Sequence, residues 1–145
     1  MKLLTAKLGE LEVREEDIYS FESGIPGFEQ SRRFVLVTVK EHEPFAYLQS
    51  VDDSQLAFIM IDPFEFFSDY EFDLPVPELE ELQIQSKEQI IIRSIVNVND
   101  DLEHATTNLV APVVMNAVAK RGKQVILLRA DYSTKHRLFA LETAK

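Results

Sequence analysis

The chain has 145 residues, 46% hydrophobic and 28% charged, and a formal net charge of −10. That length suits one domain with a sizeable core, and the acidic excess repels phosphate backbones, which argues against direct nucleic-acid binding. There are no cysteines, which excludes disulfides, thiolate metal sites and a cysteine nucleophile.

Residues 1–5 are not expected to open a secretory signal, because Lys7, Glu10 and Glu12 interrupt any apolar core. No apolar run approaches the roughly 20 residues of a spanning helix. The expectation is a soluble cytoplasmic protein with no membrane contact. Residues 1–145 read as one domain, with 131–145 as a C-terminal tail.

In chain order the first elements are short strands. Residues 3–8 and 11–14 flank Gly9-Glu10, a hairpin turn on composition. Residues 33–40, 45–51 and 56–61 are β-branched and apolar, with Asp52-Asp53-Ser54 as a turn and Asp62-Pro63 as a stop. Continuous runs of this kind suit strands covered on both faces. Residues 77–84 carry the helix signal: Pro77 suits a first helical position, Glu78, Glu80 and Glu81 complement the positive dipole end, and Leu79 and Leu82 face one side.

Residues 89–99 alternate. Ile90, Ile92, Ser94, Val96 and Val98 share one face, and Ile91, Arg93, Ile95, Asn97 and Asn99 share the other. Residues 107–119 read as a long β segment in which Pro112 implies an edge or a bulge. Residues 120–123 read as a hairpin turn and 124–130 as its returning strand. The tail has scattered apolar residues (Tyr132, Leu138, Phe139, Leu141) and suits a short helix or an extended arm. About nine or ten short strands and one short helix near 77–84 predict a mostly β fold, a compact antiparallel barrel, since closure hides apolar edges.

No catalytic or metal constellation emerges. His42, His104 and His136 are isolated from one another, and Asp100-Asp101-Leu102-Glu103-His104 lacks the alternation and glycine of a calcium loop. That cluster reads as a solvated turn. Ser20 and Ser23 lack the nucleophile elbow, and no glycine loop cradles a phosphate. A carboxylate-pair hydrolase would need acids that meet only in three dimensions. No cofactor is expected.

The most informative segment is Phe21-Glu22-Ser23-Gly24-Ile25-Pro26-Gly27-Phe28. Two of the chain's four glycines bracket Ile25-Pro26. Glycine accepts positive φ and proline fixes its own, so together they impose one bend, with Phe21 and Phe28 to pin its ends. The bend is a structural corner or, as a rigid loop on a scaffold, a recognition element.

This segment resembles the Gly-Ile-Pro-Gly-Phe hallmark of the FliW flagellar assembly factor family. Thr107-Asn108-Leu109-Val110-Ala111-Pro112-Val113-Val114-Met115-Asn116 resembles that family's second signature, and order, spacing and length also fit. The resemblance implies a compact β-rich fold and a non-enzymatic regulator. It implies two cytoplasmic partners: flagellin, and the RNA-binding translational regulator CsrA, whose repression of flagellin mRNA is relieved when it is bound. It further implies that the two partners exchange, and it leans towards allosteric rather than RNA-mimicking antagonism of CsrA.

Charge is compatible with that expectation. Residues 65–103 hold 11 acidic and two basic residues, and 104–145 hold seven basic and two acidic ones. The acidic stretch is a solvated surface or a steering surface for a basic partner, and an apolar groove would receive the amphipathic ends of flagellin. The expected contacts are Glu22, Ile25, Pro26 and Phe28, which match the family motif. Glu71, Asp73, Glu78, Glu80 and Glu81 join them on charge alone. Asn108 and Asn116 are read as structural, and most of the phenylalanines of 64–72 as core. The chain is expected to be a monomer. An alternative is a small barrel that binds an apolar ligand inside.

Overall fold

A computed structural model describes residues 1–98, 101–127 and 131–139. Among them are strands β1 (Lys2–Thr5), β2 (Gly9–Glu12), β3 (Ile18–Ser20), β4 (Arg33–Thr38), β5 (Ala46–Ser50) and β6 (Ala57–Ile61). The later ones are β7 (Ile90–Asn97), β8 (Thr106–Thr107), β9 (Val113–Asn116), β10 (Arg121–Gln124) and β11 (His136–Arg137). Two short helices, α1 (Pro63–Phe66) and α2 (Val76–Glu81), lie between β6 and β7.

Seven strands close a barrel in the order β7-β6-β5-β4-β3-β10-β9, and β9 returns to pair with β7. The expected barrel is therefore present. All its pairings are antiparallel except one, where β3 and β10 meet in parallel at Ser20 and Arg121. β8 and β11 extend the sheet beyond β7, and β1–β2 forms a separate hairpin.

Alternation along β7 sorts its side chains as read from the sequence. Ile91 and Ile95 pack into the interior with Tyr19, Phe21, Ile25, Phe34, Leu48, Met60, Val113 and Met115. Ile90 and Ile92 face outward, where Tyr70, Leu82, Leu109, Val114 and Val125 cover them. Val96 and Val98 join a third cluster with Ile61, Ala105 and Leu138. Phe21, Phe34, Leu48, Met60 and Met115 have no appreciable exposed surface. They occupy the space that the alternative reading assigned to an apolar ligand.

Several local expectations are corrected. Gly9 lies within β2 opposite Thr5, so the first turn is residues 6–8. The Thr5 hydroxyl closes that turn by accepting from the Leu8 N–H at 2.8 Å. Asp62-Pro63 does not merely end β6: the Asp62 carboxylate accepts from the Phe64 N–H and caps α1, with Pro63 in its first turn. α2 spans Val76–Glu81 rather than 77–84.

The segment 107–119 is not one strand. It breaks into β8 and β9, because Asn108 folds the chain between them and its carboxamide oxygen accepts from the Val110 and Ala111 N–H groups at 3.0 Å. Pro112 precedes β9 instead of interrupting it. The turn before β10 is 117–120, with Lys120 at φ +57, and residues 121–123 are already strand. β10 ends at Gln124, although Val125 and Leu127 still donate to the carbonyls of Pro112 and Val110. The described tail is extended through β11. Asn99, Asp100, residues 128–130 and residues 140–145, with Leu141, lie outside the described residues.

Candidate functional site

The bend is rigid for identifiable reasons. Gly24 and Gly27 have φ of +70 and +88. A Cβ on Gly24 would lie 2.9 Å from the Glu29 Cα, so a larger residue is blocked by backbone as well as by φ. Gly24 N–H donates to the Phe21 carbonyl, Phe28 N–H to that of Ile25, and Ser31 N–H to that of Phe28. The Arg32 guanidinium donates to the Glu22 carbonyl. Phe21 is fully buried, and Phe28, 44% exposed, meets the Phe58 ring edge-on at 5.1 Å.

Ile25 is corrected by its position. It is 1% exposed and lies in the barrel core, so it anchors the bend and offers no surface. Glu22 and Pro26 are exposed.

α2 is braced against β10. The Lys123 ammonium bridges Glu78 at 2.6 Å and Glu81 at 2.8 Å. Glu81 also accepts from the Ser23 hydroxyl at 2.9 Å, and Arg121 reaches Glu22 at 2.9 Å. The structure thus joins part of each predicted group, since Glu22 of the bend and Glu78 and Glu81 of the helix share one network. The same contacts revise their roles. Glu78 and Glu81 are half-buried and neutralised by Lys123, whereas Glu71, Asp73 and Glu80 remain exposed.

The network shifts both partners' protonation. The hydrogen bond from Lys123 holds the Glu81 carboxyl below its usual range; partial burial opposes this, and the Ser23 hydroxyl adds to it. Glu78 and then Glu81 raise Lys123 above its ordinary value, against partial desolvation. Both directions favour the charged pair.

Asn116 is fully buried behind α2. Its amide donates to the carbonyls of Leu82 at 2.9 Å and Gln83 at 3.0 Å. Its oxygen accepts from the N–H groups of Val118 and Ala119. Asn108 and Asn116 are both structural, as read from the sequence. Of the 64–72 phenylalanines, Phe66, Phe67 and Phe72 pack against the two outer clusters, and Phe64 is 42% exposed.

Beside α2 runs a groove of about 740 Å³ whose floor includes Ile90 and Ile92, with Phe72, Leu74, Leu79 and Ile84 along its walls. Sequence reasoning anticipated a groove but did not locate it. It also missed Ser23, Arg121 and Lys123. The surplus of base after residue 104 was the available signal, because Arg121 and Lys123 turn part of the charge asymmetry inward.

Asp101, Glu103 and His104 place ligand-type atoms within 4.8 Å of one another, all exposed. Asp101 caps the following turn by accepting from the His104 N–H at 3.1 Å, and the bond to the His104 ring, followed by this one, lowers its carboxyl. Among the described residues no helix is long and apolar enough to cross a membrane.

Fold and site define a small closed β-barrel with a helix-and-bend face held by buried apolar contacts and a shared ion-pair network. The chain matches the FliW protein family over residues 2–138 and belongs to it. It is 45% identical over all 145 residues to the flagellar assembly factor FliW of Geobacillus thermodenitrificans, covering the whole of both chains. It is 41% identical over 128 residues to that of Bacillus subtilis strain 168, covering 88% of this chain and 90% of the relative. A crystal structure of the flagellar assembly factor FliW superposes with a TM-score of 0.92 at 43% identity, over 98% of this chain and 99% of that one.

Proposed function

We propose that this chain acts in flagellar assembly as a non-enzymatic, cytoplasmic partner-switch regulator. It binds flagellin and CsrA in turn, and its hold on CsrA relieves repression of flagellin mRNA. The observation that carries this reading is the junction of bend and α2, where Ser23 bonds Glu81 and Glu22 pairs with Arg121. Motif residues and an acidic helix form one rigid face, and rigid surfaces bind without a large ordering cost. Glu22, Pro26 and Phe28 supply its apolar and polar relief, and the exposed acids Glu71, Asp73 and Glu80 add negative charge. A basic RNA-binding partner is drawn to such charge, and the antagonism runs through a coupling between sites on CsrA.

Calorimetric titration of CsrA into this chain, alone and saturated with flagellin, tests the reading. Binding that flagellin abolishes supports it; no binding of either protein overturns it. CsrA–RNA titrations at rising concentrations of this chain test the allosteric step, which fails if excess RNA fully surmounts the inhibition.

A further inference from the structure

β7 carries an unused edge. On one side Ile90–Arg93 pairs with β9. On the other, β6 pairs only from Ser94 onward, with Ile61 opposite Ser94. Continuing that register would set Pro63 opposite Ile92. Proline has no N–H to give, and Asp62-Pro63 turns the chain into α1 instead. The missing strand position is therefore written into the sequence of β6.

Alternation says which backbone groups this leaves. The Gln89 carbonyl accepts from the Ala117 N–H on the β9 side, so Ile91 and Arg93 point that way and Ile90 and Ile92 point to the open side. The Ile90 N–H is spent on the Lys87 carbonyl, and the Ile92 carbonyl accepts from the Arg93 guanidinium at 2.8 Å. One acceptor, the Ile90 carbonyl, and one donor, the Ile92 N–H, remain directed at the groove. They are two residues apart on one strand edge, the spacing at which a pairing strand donates once and accepts once.

The groove complements a strand in two further respects. Residues 72–74 line it outside any helix or strand and make no backbone hydrogen bond among the described residues. Its charges are not all spent. Asp62 and Arg93 satisfy local groups, whereas Asp73 and Lys87 at the rim form no ion pair among the described residues. A guest would meet one free acid and one free base.

We propose that this groove binds an extended peptide segment of a partner protein by strand addition to β7. The guest is apolar at alternate positions, where it extends the cluster of Ile90, Ile92, Phe72 and Leu74. It carries a basic side chain towards Asp73 and an acidic one towards Lys87. Backbone pairing supplies affinity, and the apolar positions and two charges supply selectivity. The site shares Asp73 with the CsrA reading but is tested apart from it, since its affinity comes from β7 backbone groups that lie in neither the bend nor α2.

The test uses the full chain and a synthetic eight-residue peptide of alternating valine and threonine, lysine at one end and glutamate at the other. Its charge-reversed counterpart covers the opposite strand direction. In the free protein the Ile92 amide is expected to exchange faster than those of Ile91 and Arg93. Bound peptide is expected to slow it about tenfold or more, as a new backbone hydrogen bond would. N-methylating alternate peptide amides leaves the side chains in place and is expected to abolish binding in at least one of the two offsets. An Ile92 amide already protected without peptide, equal binding by both methylated forms, or no binding at millimolar peptide overturns the proposal. Preference for a helical peptide of the same composition overturns it as well, and so does Ile92 protection that rises with protein concentration alone, which would assign the groove to a second copy.

Discussion

The ring of Phe21 occupies the space in which a Cβ on Gly122 would stand. A methyl there would lie within 2.9 Å of the Phe21 Cε2 and closer to its neighbours in the ring. Phe21 follows β3 and Gly122 lies in β10, so this contact sits at the one parallel seam of the barrel. Gly122→Ala is expected to destabilise the protein by about 2–3 kcal/mol, as overpacking does in a filled core. Adding Phe21→Leu should recover part of that loss, because the two sites share one volume. Urea midpoints of the four forms check this, and strictly additive losses would reject the shared-volume account.

The two glycines of the bend are expected to differ. Gly24→Ala meets both a positive φ and the Glu29 backbone, whereas a Cβ on Gly27 meets nothing within 4 Å. Gly27→Ala should cost about 1 kcal/mol for its left-handed backbone alone. Gly24→Ala should cost about 2–3 kcal/mol, since strain and collision add. Equal costs would place the constraint in φ only.

The Lys123 network predicts a specific pH dependence. Glu81 is depressed below its ordinary 4.5, so its contribution is present above that value and lost as pH falls through the folded one. Lys123 is raised above 10.5, so its contribution holds below that value and is lost as pH rises through the folded one. Between these limits Lys123→Met is expected to cost about 1 kcal/mol, a modest figure because the side chains of Lys123 and Glu81 are 22% and 34% exposed. The difference from the parent should shrink as pH falls through the folded value of Glu81, below its ordinary 4.5. A difference that stays constant from neutral to acid pH would assign the loss to packing.

Asn116→Ala removes the amide that donates twice to the end of α2 and the oxygen that accepts twice from the turn before β10. Loss of these buried partners is expected to cost about 3 kcal/mol. Amide exchange should quicken at Val118 and Ala119, whose N–H groups lose their acceptor. Unchanged exchange there would show that the turn holds itself.

Reversing the exposed acids Glu71, Asp73 and Glu80 to lysine should slow CsrA association by about tenfold at low salt and weaken its salt dependence. Reversal at Glu78 and Glu81 should instead destabilise α2, because it sets like charges on Lys123. Stopped-flow association separates the two groups, and an unchanged rate removes the exposed acids from the contact surface.

Much of this was legible in the chain. Alternation in residues 89–99 correctly divided Ile91 and Ile95 from Ile90 and Ile92, because a strand's side chains have a period of two wherever it runs. The helix before residue 82 was legible from Pro77 and its glutamates, and both family signatures lay in the sequence. The positions of the first and last hairpin turns were not. Gly9 and residues 121–123 have turn composition but are held in strands by their partners. α1 was missed because Asp62-Pro63 serves equally as a strand stop and a helix start.

What the sequence determined by itself was therefore a mostly β chain, an acidic balance and a fixed bend, all of which follow from local chemistry and periodicity. The tertiary structure decided which charges are free and which groups are reachable. Ser23 meets Glu81 across 58 residues, and Arg121 meets Glu22 across 99. Ile25 lies in the core, and β6 stops one step short of covering β7. Such outcomes depend on how strands close around a filled interior, and spacing along the chain does not carry that information.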